Sequence, residues 1–432
     1  MSYLVDGITH RGEGVVRKDG KAVFIPFAVP GEEISMEIIK DQKSFSRGLI
    51  REIITPSPDR VDPPCQHYYQ CGGCAYQHVN YQRQLLLKKK VVSDALQRIG
   101  QQEVSIHDVI GMDNPWYYRN KVTWQVGDIG GEKKLGYYQL DSRRHLAIGD
   151  CLIIAPKIKE FSQFLNGNLN ETGINCGQQV MIRLDSQGQL FVIMEGPVNK
   201  AGLESLVKGY PDLESLFIYQ DNELSHVFGS DKMEFIMGER RYLVSPLAFF
   251  QVNNQQTVKL YDEVKKTIQP GKSILDAYCG TGSIAIYAAG NNNDVVGIDE
   301  FNPSIEDARI NASLNHRSHC EFIVGACERV LPDLKKDFDI AILDPPRAGC
   351  HQDLLKTIIE QDIPQITYVS CNPATLARDV KILCESSYRI ESVQPVDMFP
   401  WTSHVECCVL LYRKDYIGEK GKKVTVEVGM NK

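Results

Sequence analysis

Apolar and polar residues change rhythm three times along this 432-residue chain. In the first 58 residues, short alternating runs are broken by tight turns. In GEGVVRKDGKAVFIPFAVPGEEISMEII, Asp19-Gly20 separates two alternations and Pro30-Gly31 punctuates the next. Alternating runs joined by Asp-Gly read as a hairpin, and strands this short predict a small closed barrel. A proline-rich linker, TPSPDRVDPP, follows. QRQLLLKKKVVSDALQRIG then has helical spacing and stops at Gly100. From 101 to 245 the pattern is mixed and strand-rich, with aromatics and cations interleaved in WYYRNKVTWQV. From 246 onward strand and helix signals alternate, which predicts a doubly wound parallel α/β sheet. The expected organisation is a barrel over 1–58, a mixed α+β central domain over 59–245, an α/β domain over 246–415 and a charged tail over 416–432.

A chain this long exceeds one ordinary core, so two or three domains are expected. Hydrophobic residues make up 43% and charged residues 24%, the balance of a water-soluble globular protein. No apolar run approaches the ~18 residues of a membrane span, and the first residues lack the basic and apolar regions of an export signal. Thirteen cysteines, an odd number, fit a reducing compartment better than a disulfide framework. The expectation is a cytoplasmic monomer. A net charge of −7 does not advertise nucleic-acid binding, so such a partner must use a local basic patch. The helical stretch carries Arg83, Lys88, Lys89, Lys90 and Arg98 against Asp94 alone, the best electrostatic candidate for phosphate contact.

The second half carries the chemistry. KSILDAYCGTGSIAIYAA reads as strand, glycine turn and helix start, with Asp276, Gly280 and Gly282 where a nucleotide-type ligand approaches backbone. Position 285 is Ala, so the full dinucleotide fingerprint is absent. DVVGIDE ends a strand at Asp299, placed to accept both hydroxyls of a ribose. FDIAILDPPRAG ends another at Asp344, ahead of two prolines. Three carboxylates at successive strand ends are expected to converge on one crevice. A phosphate-loop lysine is missing, which argues against phosphoryl transfer. In ITYVSCNPATLARD, Cys371 sits where a strand runs out, ahead of Asn-Pro. A cysteine kept for packing would sit inside the apolar run.

A further cysteine cluster lies in PPCQHYYQCGGCAYQH, giving Cys65, Cys71 and Cys74. Three thiols need a fourth ligand: Cys151 is the distal candidate, and His67 and His78 are nearer ones. Spacing alone leaves a Cys₄ zinc site and a [4Fe–4S] cluster equally open.

The order DAYCGTG, GIDE, LDPPRAG, SCNPATLARD and HVECCVLLYRK resembles the RNA uracil-5-methyltransferase family across nearly the whole chain. The resemblance implies S-adenosylmethionine as methyl donor, bound by Gln251 (in FFQVN), Tyr278, Asp299 and Asp344 in a Rossmann-like methyltransferase sheet. It implies Cys371 as nucleophile and Glu406 as base. It makes the first sixty residues a TRAM-type (OB-like) RNA-binding barrel, and Cys65, Cys71, Cys74 and Cys151 the ligands of a [4Fe–4S] cluster. The implied partner is RNA presenting a uridine flipped out of a loop. The chemistry agrees with these residue types. Carbon 5 of uracil is a poor nucleophile until a thiolate adds at carbon 6, and a base must then remove the carbon-5 proton. The thiol is expected to have a lowered pKa beside a helix N-terminus. Alternation along HVE puts His404 and Glu406 on one face of a strand. Barrel plus cysteine site resembles the 23S rRNA enzymes more than the transfer-RNA enzyme. A base-amino methyltransferase is a weaker alternative, because Arg347 follows the two prolines where such enzymes carry Tyr or Phe. A catalytically silent iron–sulfur RNA binder is weaker still, given Cys371 and Glu406.

Overall fold

The computed structural model describes residues 1–416. The expected charged tail lies, but for its first residue, outside the described residues.

Five strands, Tyr3–Ile8, Gly14–Lys18, Lys21–Ile25, Glu33–Asp41 and Phe45–Thr55, close into a barrel. Asp19 and Gly20 both take positive φ, 50° and 78°, between the paired Lys18 and Lys21. That is the twist-matched hairpin turn which Asp-Gly favours. Val5, Val16, Val23, Ile25 and Ile34 fill the interior.

The seven-stranded central sheet runs Glu223–Gly229, Leu213–Gln220, Leu190–Glu195, Gln179–Leu184, Lys121–Ile129, Glu132–Tyr138, His145–Ala147. The helices Pro156–Thr172 and Lys200–Gly209 bury Phe161, Leu165, Leu203 and Leu206 against Trp124 and Val180 on one face. Through Phe191, Ile193 and Phe217, the sheet joins a second core containing the hairpin Met233–Met237/Arg240–Val244 and helix Asn254–Thr267.

The second seven-stranded sheet has the order Cys320–Val324, Asp294–Asp299, Ser273–Ala277, Ile340–Leu343, Gln365–Ser370, Glu406–Arg413, Tyr388–Val396. Every residue of Ile340–Leu343 and Gln365–Ser370 is buried, as expected of central parallel strands covered on both faces. Glu406–Arg413 alone is antiparallel to its neighbours. Chain order reverses between Ser273–Ala277 and Ile340–Leu343, which opens a crevice at their carboxyl ends. This is the Rossmann-like sheet expected.

Helix Tyr81–Arg98 begins at Asn80, whose side chain accepts the Arg83 N–H at 2.8 Å. Val92 and Leu96 pack in one core with Leu376, Ala377 and Val380 of helix Pro373–Ser386, so this helix leans on the α/β sheet. The expected free basic face is not there. Lys88 is fully buried and bonds Asp397 at 2.5 Å, also fully buried. Arg83 pairs with Asp59, Lys89 with Asp108, and Lys90 and Arg98 with Asp94. Three of these four acids come from other parts of the chain, which composition of the helix alone cannot reveal.

Candidate active site

The crevice is a cavity of about 1120 Å³ lined by Gln251, Tyr278, Asp299, Asp344, Cys371 and Glu406 together. The sheet register explains the last pair. Because Glu406–Arg413 runs backwards, its first residues lie beside the last of Gln365–Ser370, with Ser370 opposite Cys407. Cys371 follows Ser370, and Glu406 precedes Cys407. Two residues 35 positions apart in sequence are thus brought to one sheet end by a single reversed strand.

Cys371 stands just ahead of the cap of helix Pro373–Ser386. Asn372 accepts the Ala374 N–H at 3.1 Å, and its amide donates to the Arg347 carbonyl at 3.0 Å. Thr375 donates to the same carbonyl at 3.2 Å. The cap therefore holds the proline loop, and with it Arg347, against the thiol. Asp379, fully buried, accepts from Tyr368 O–H at 2.7 Å and from Cys350 N–H at 2.8 Å, and fixes the loop's far end.

The thiol's electrostatics differ from the expectation. Burial, then Glu406 and Asp344, push the Cys371 pKa up to about 11, while Arg347 pulls it down. Burial dominates, and the two carboxylates facing the thiol add to it, so the lowered pKa expected beside the helix terminus is not found. Glu406 is raised to about 8 by burial and Asp344, again opposed by Arg347. Asp344 is raised to about 7 by burial. His404 lines the same cavity, but its ring nitrogen lies 3.5 Å from Arg347 and bonds no atom of Glu406.

On the cofactor side, Asp299 accepts the N–H groups of Gly280 and Phe301 at 3.0 and 2.9 Å, which fixes its carboxylate. Tyr278 has φ +62°, and its hydroxyl accepts the His351 N–H at 3.1 Å. A Cβ on Gly280 would meet nothing within 4 Å, so bare backbone faces open space. Asp276 does not join the crevice as expected. It is fully buried, absent from the cavity lining, and raised to about 8 by burial, Asp344 and Asp299. Sequence reading passed over Phe249, Phe301 and Phe399, which also line the cavity. It took Arg347 only as a departure from another motif; its place after the prolines was the available signal.

A second cavity of about 380 Å³ is lined by Cys65, Cys71, Cys74 and Cys151 with His67, Arg119, Lys121 and Val252. Its thiols are free, and burial raises each of them, Cys74 to about 12 and Cys151 to about 11. Of the rival ligands, His67 faces this cavity. His78 is held elsewhere, with Nδ1 2.6 Å from the Tyr68 hydroxyl. Among the described residues no three His, Cys, Asp or Glu side chains are close enough to hold a single metal ion. The cysteine loop is tied to the segment between Phe399 and His404, both of which line the larger cavity: the N–H groups of Ala75 and Tyr76 donate to the Trp401 carbonyl at 2.8 and 2.9 Å.

Comparison with known proteins agrees with this geometry. Residues 230–414 match the family model described as tRNA (Uracil-5-)-methyltransferase. The chain is 37% identical over 443 residues to an uncharacterized RNA methyltransferase of Bacillus cereus, covering 96% of each. It is 36% identical over 451 residues to another from Halalkalibacterium halodurans, covering 96% of this chain and 97% of that one. Among solved structures, the Pyrococcus abyssi tRNA (uracil-54, C5)-methyltransferase in complex with S-adenosyl-L-homocysteine superposes with a TM-score of 0.76 and 27% identity. It covers 95% of this chain and 100% of that one, too much to omit the barrel. The expectation that barrel plus cysteine site separates ribosomal from transfer-RNA enzymes is therefore not supported by this neighbour. With the methyltransferase sheet, the matched family model and full-length relatives in agreement, the chain belongs to the RNA uracil-5-methyltransferase family, which uses S-adenosylmethionine.

Proposed function

We propose that this protein methylates carbon 5 of a uridine in 23S rRNA through a covalent adduct between Cys371 and carbon 6. The observation that carries the reading is the meeting of Cys371 and Glu406 in one cavity with Gln251, Tyr278, Asp299 and Asp344. S-Adenosylmethionine supplies the methyl group and leaves as S-adenosylhomocysteine. The residues suit a cationic ligand of this kind: burial and then repulsion from Asp344 raise both Asp276 and Glu406, and a positive charge in the cavity would relieve the repulsion. Asp299 would hold the ribose hydroxyls, and Gln251, Tyr278 and Asp344 would complete the site in the same cavity.

Cys371 adds to carbon 6 as the thiolate, and the ring becomes an enolate with charge at carbon 5. In the free protein the thiol stays protonated, and its proton must pass to solvent as substrate enters, before attack, so that Glu406 remains free to take the carbon-5 proton. Arg347 is placed to hold the thiolate once substrate fills the cavity. After carbon 5 gains the methyl group, Glu406 removes its proton. A carboxylate raised towards 8 is a far better match to neutral pH than an ordinary one. Loss of the carbon-5 proton re-forms the ring double bond and expels the thiolate.

Cys65, Cys71, Cys74 and Cys151 suit a [4Fe–4S] cluster. A tetrahedral zinc would draw its thiolates to within ~4 Å of one another, whereas each corner of a cluster takes its own thiolate. Lys121 supports the same reading: burial beside Arg183 and Arg119 lowers it to about 8, the mark of a cation lacking a counter-ion. An anionic cluster would supply one. Methyl transfer consumes no electrons, so the group's part is to hold the cysteine loops together.

The similarity to the Pyrococcus abyssi enzyme favours a second reading, a uridine in transfer RNA. Mapping 5-methyluridine in both RNA classes from a deletion strain tests the choice. A denaturation-resistant adduct with RNA containing 5-fluorouracil tests the mechanism, since only attack at carbon 6 forms it. Absence of that adduct would remove the covalent route.

A further inference from the structure

Arg183, on the central-sheet strand Gln179–Leu184, is only 2% exposed. Among the described residues it makes no ion pair, and its cross-strand neighbour is another cation, Lys121. Its Nη1 donates to the Ala248 carbonyl at 3.1 Å and its Nη2 to the Phe250 carbonyl at 2.9 Å. Its Nε is buried without a partner. The guanidinium lies 5.3 Å from the centre of the Phe235 ring, which stacks on Phe250 at 4.6 Å. Burial lowers its pKa to about 10.

A buried charge without a counter-charge is expensive, and an apolar side chain of equal volume often serves stability better. What this one does is grip both sides of a single residue. Ala248 and Phe250 flank Phe249, which is 68% exposed and lines the cofactor cavity. The next residue is Gln251, and Asn120, immediately before the central-sheet strand Lys121–Ile129, donates to its carbonyl at 3.2 Å. The planar fork meets carbonyls two positions apart, which a point-like ammonium cannot do equally well.

We propose that Arg183 is a positioning residue for methyl transfer, fixing the peptides around Phe249 so that Gln251 enters the cavity in one orientation. The proposal rests on the cavity being the S-adenosylmethionine site. Its test is Arg183→Met, with Arg183→Lys as the conservative variant, read by calorimetry with S-adenosylhomocysteine and by thermal melting. Arg183→Met should melt no lower than the parent, yet bind S-adenosylhomocysteine about tenfold more weakly, because the segment must now be ordered on binding. It should also raise KM for RNA. Arg183→Lys should fall between the two. Affinity within about twofold of the parent in both variants would overturn the proposal. So would a loss of affinity matched by an equal loss of folded protein, which is a purely structural role. If Arg183→Met does not fold, Arg183→Lys decides alone: unchanged affinity overturns the proposal, weaker affinity at unchanged melting temperature supports it. A parent protein that binds the cofactor product but methylates no uridine would sink the functional reading and leave this comparison intact.

Discussion

The two cavities share a wall, Gln251 lining one and Val252 the other, yet they are built by opposite means. In the large cavity the key groups stand at the ends of sheet strands or one residue beyond: Asp299, Asp344, Cys371 and Glu406. Backbone ladders position them before any ligand arrives. In the small cavity all four cysteines lie outside the named strands and helices. Their loops are held by turn hydrogen bonds, such as Cys71 N–H to the His67 carbonyl, and by the pair to Trp401, rather than by a ladder. One site is preorganised by the sheet, and the other, on the proposed reading, would depend on what binds there. The variants below probe that difference, beginning with the largest effect.

Cys371→Ala should abolish methylation and the fluorouracil adduct while leaving S-adenosylmethionine affinity within about threefold, because the ladder around it is unchanged. Measurable turnover in this variant would remove Cys371 as nucleophile. Glu406→Gln should stop the reaction later. Attack and methyl transfer proceed, the carbon-5 proton stays, and a methylated protein–RNA adduct accumulates on denaturing gels. Normal product release would shift the base role, with His404 next in the cavity. Glu406 also titrates in the folded protein at about 8, above its unfolded value. Its stabilising contribution is complete below the unfolded pKa and is lost as pH rises towards 8. Glu406→Gln should therefore melt higher than the parent at pH 9, by on the order of 5 °C, and match it near pH 4. A melting difference independent of pH would contradict the raised pKa.

The preorganised site was legible because its geometry follows from strand ends. Cys371 before Asn-Pro and Asp344 before two prolines announce where strands stop, and stopping points of a parallel sheet share an edge. The reversed strand that brings Glu406 alongside was not legible, since direction is decided by pairing. Nor was the thiol's raised pKa, which depends first on its burial and then on Glu406 and Asp344 being neighbours in space. The basic helix misled for the same reason. Lys88 finds Asp397, 309 positions away, and the pair is buried. Asp276 carries the same signal as Asp299 in sequence, but the sheet covers it. Arg183 gave no signal at all, because an arginine in a strand reads as surface until the strand's surroundings are known.

Asp299→Ala sharpens the comparison from the cofactor side. Its carboxylate is already fixed by two backbone N–H groups, so on the proposed reading ribose hydroxyls would meet a preset acceptor. Hydrogen bonds to a charged group contribute roughly 1.5–3 kcal/mol each, so affinity should fall on the order of 10²-fold. Unchanged affinity by calorimetry would place Asp299 outside the site.

Cys74→Ser should have the smallest effect on the cofactor and the most telling one on the comparison. Anaerobically purified parent protein is expected to be brown, with about four irons per chain, and the variant to lose most of that iron. A zinc-loaded colourless parent would replace the cluster reading, since zinc has a filled d shell. If the sheet alone organises the large cavity, the variant should bind S-adenosylmethionine within about threefold of the parent. RNA methylation should nevertheless fall several-fold more than that. Ala75 and Tyr76 follow Cys74 directly, and their N–H groups hold the Trp401 carbonyl at 2.8 and 2.9 Å. Trp401 has φ +68° and stacks on Trp116 at 4.0 Å, so its peptide is kept in place from outside. Five residues later the chain reaches Glu406. A loop freed by losing its metal group should therefore loosen the approach to the base while the Asp299 end stays rigid. Cofactor affinity and methylation falling together would mean that the two cavities form one cooperative unit, and the contrast between them would fail.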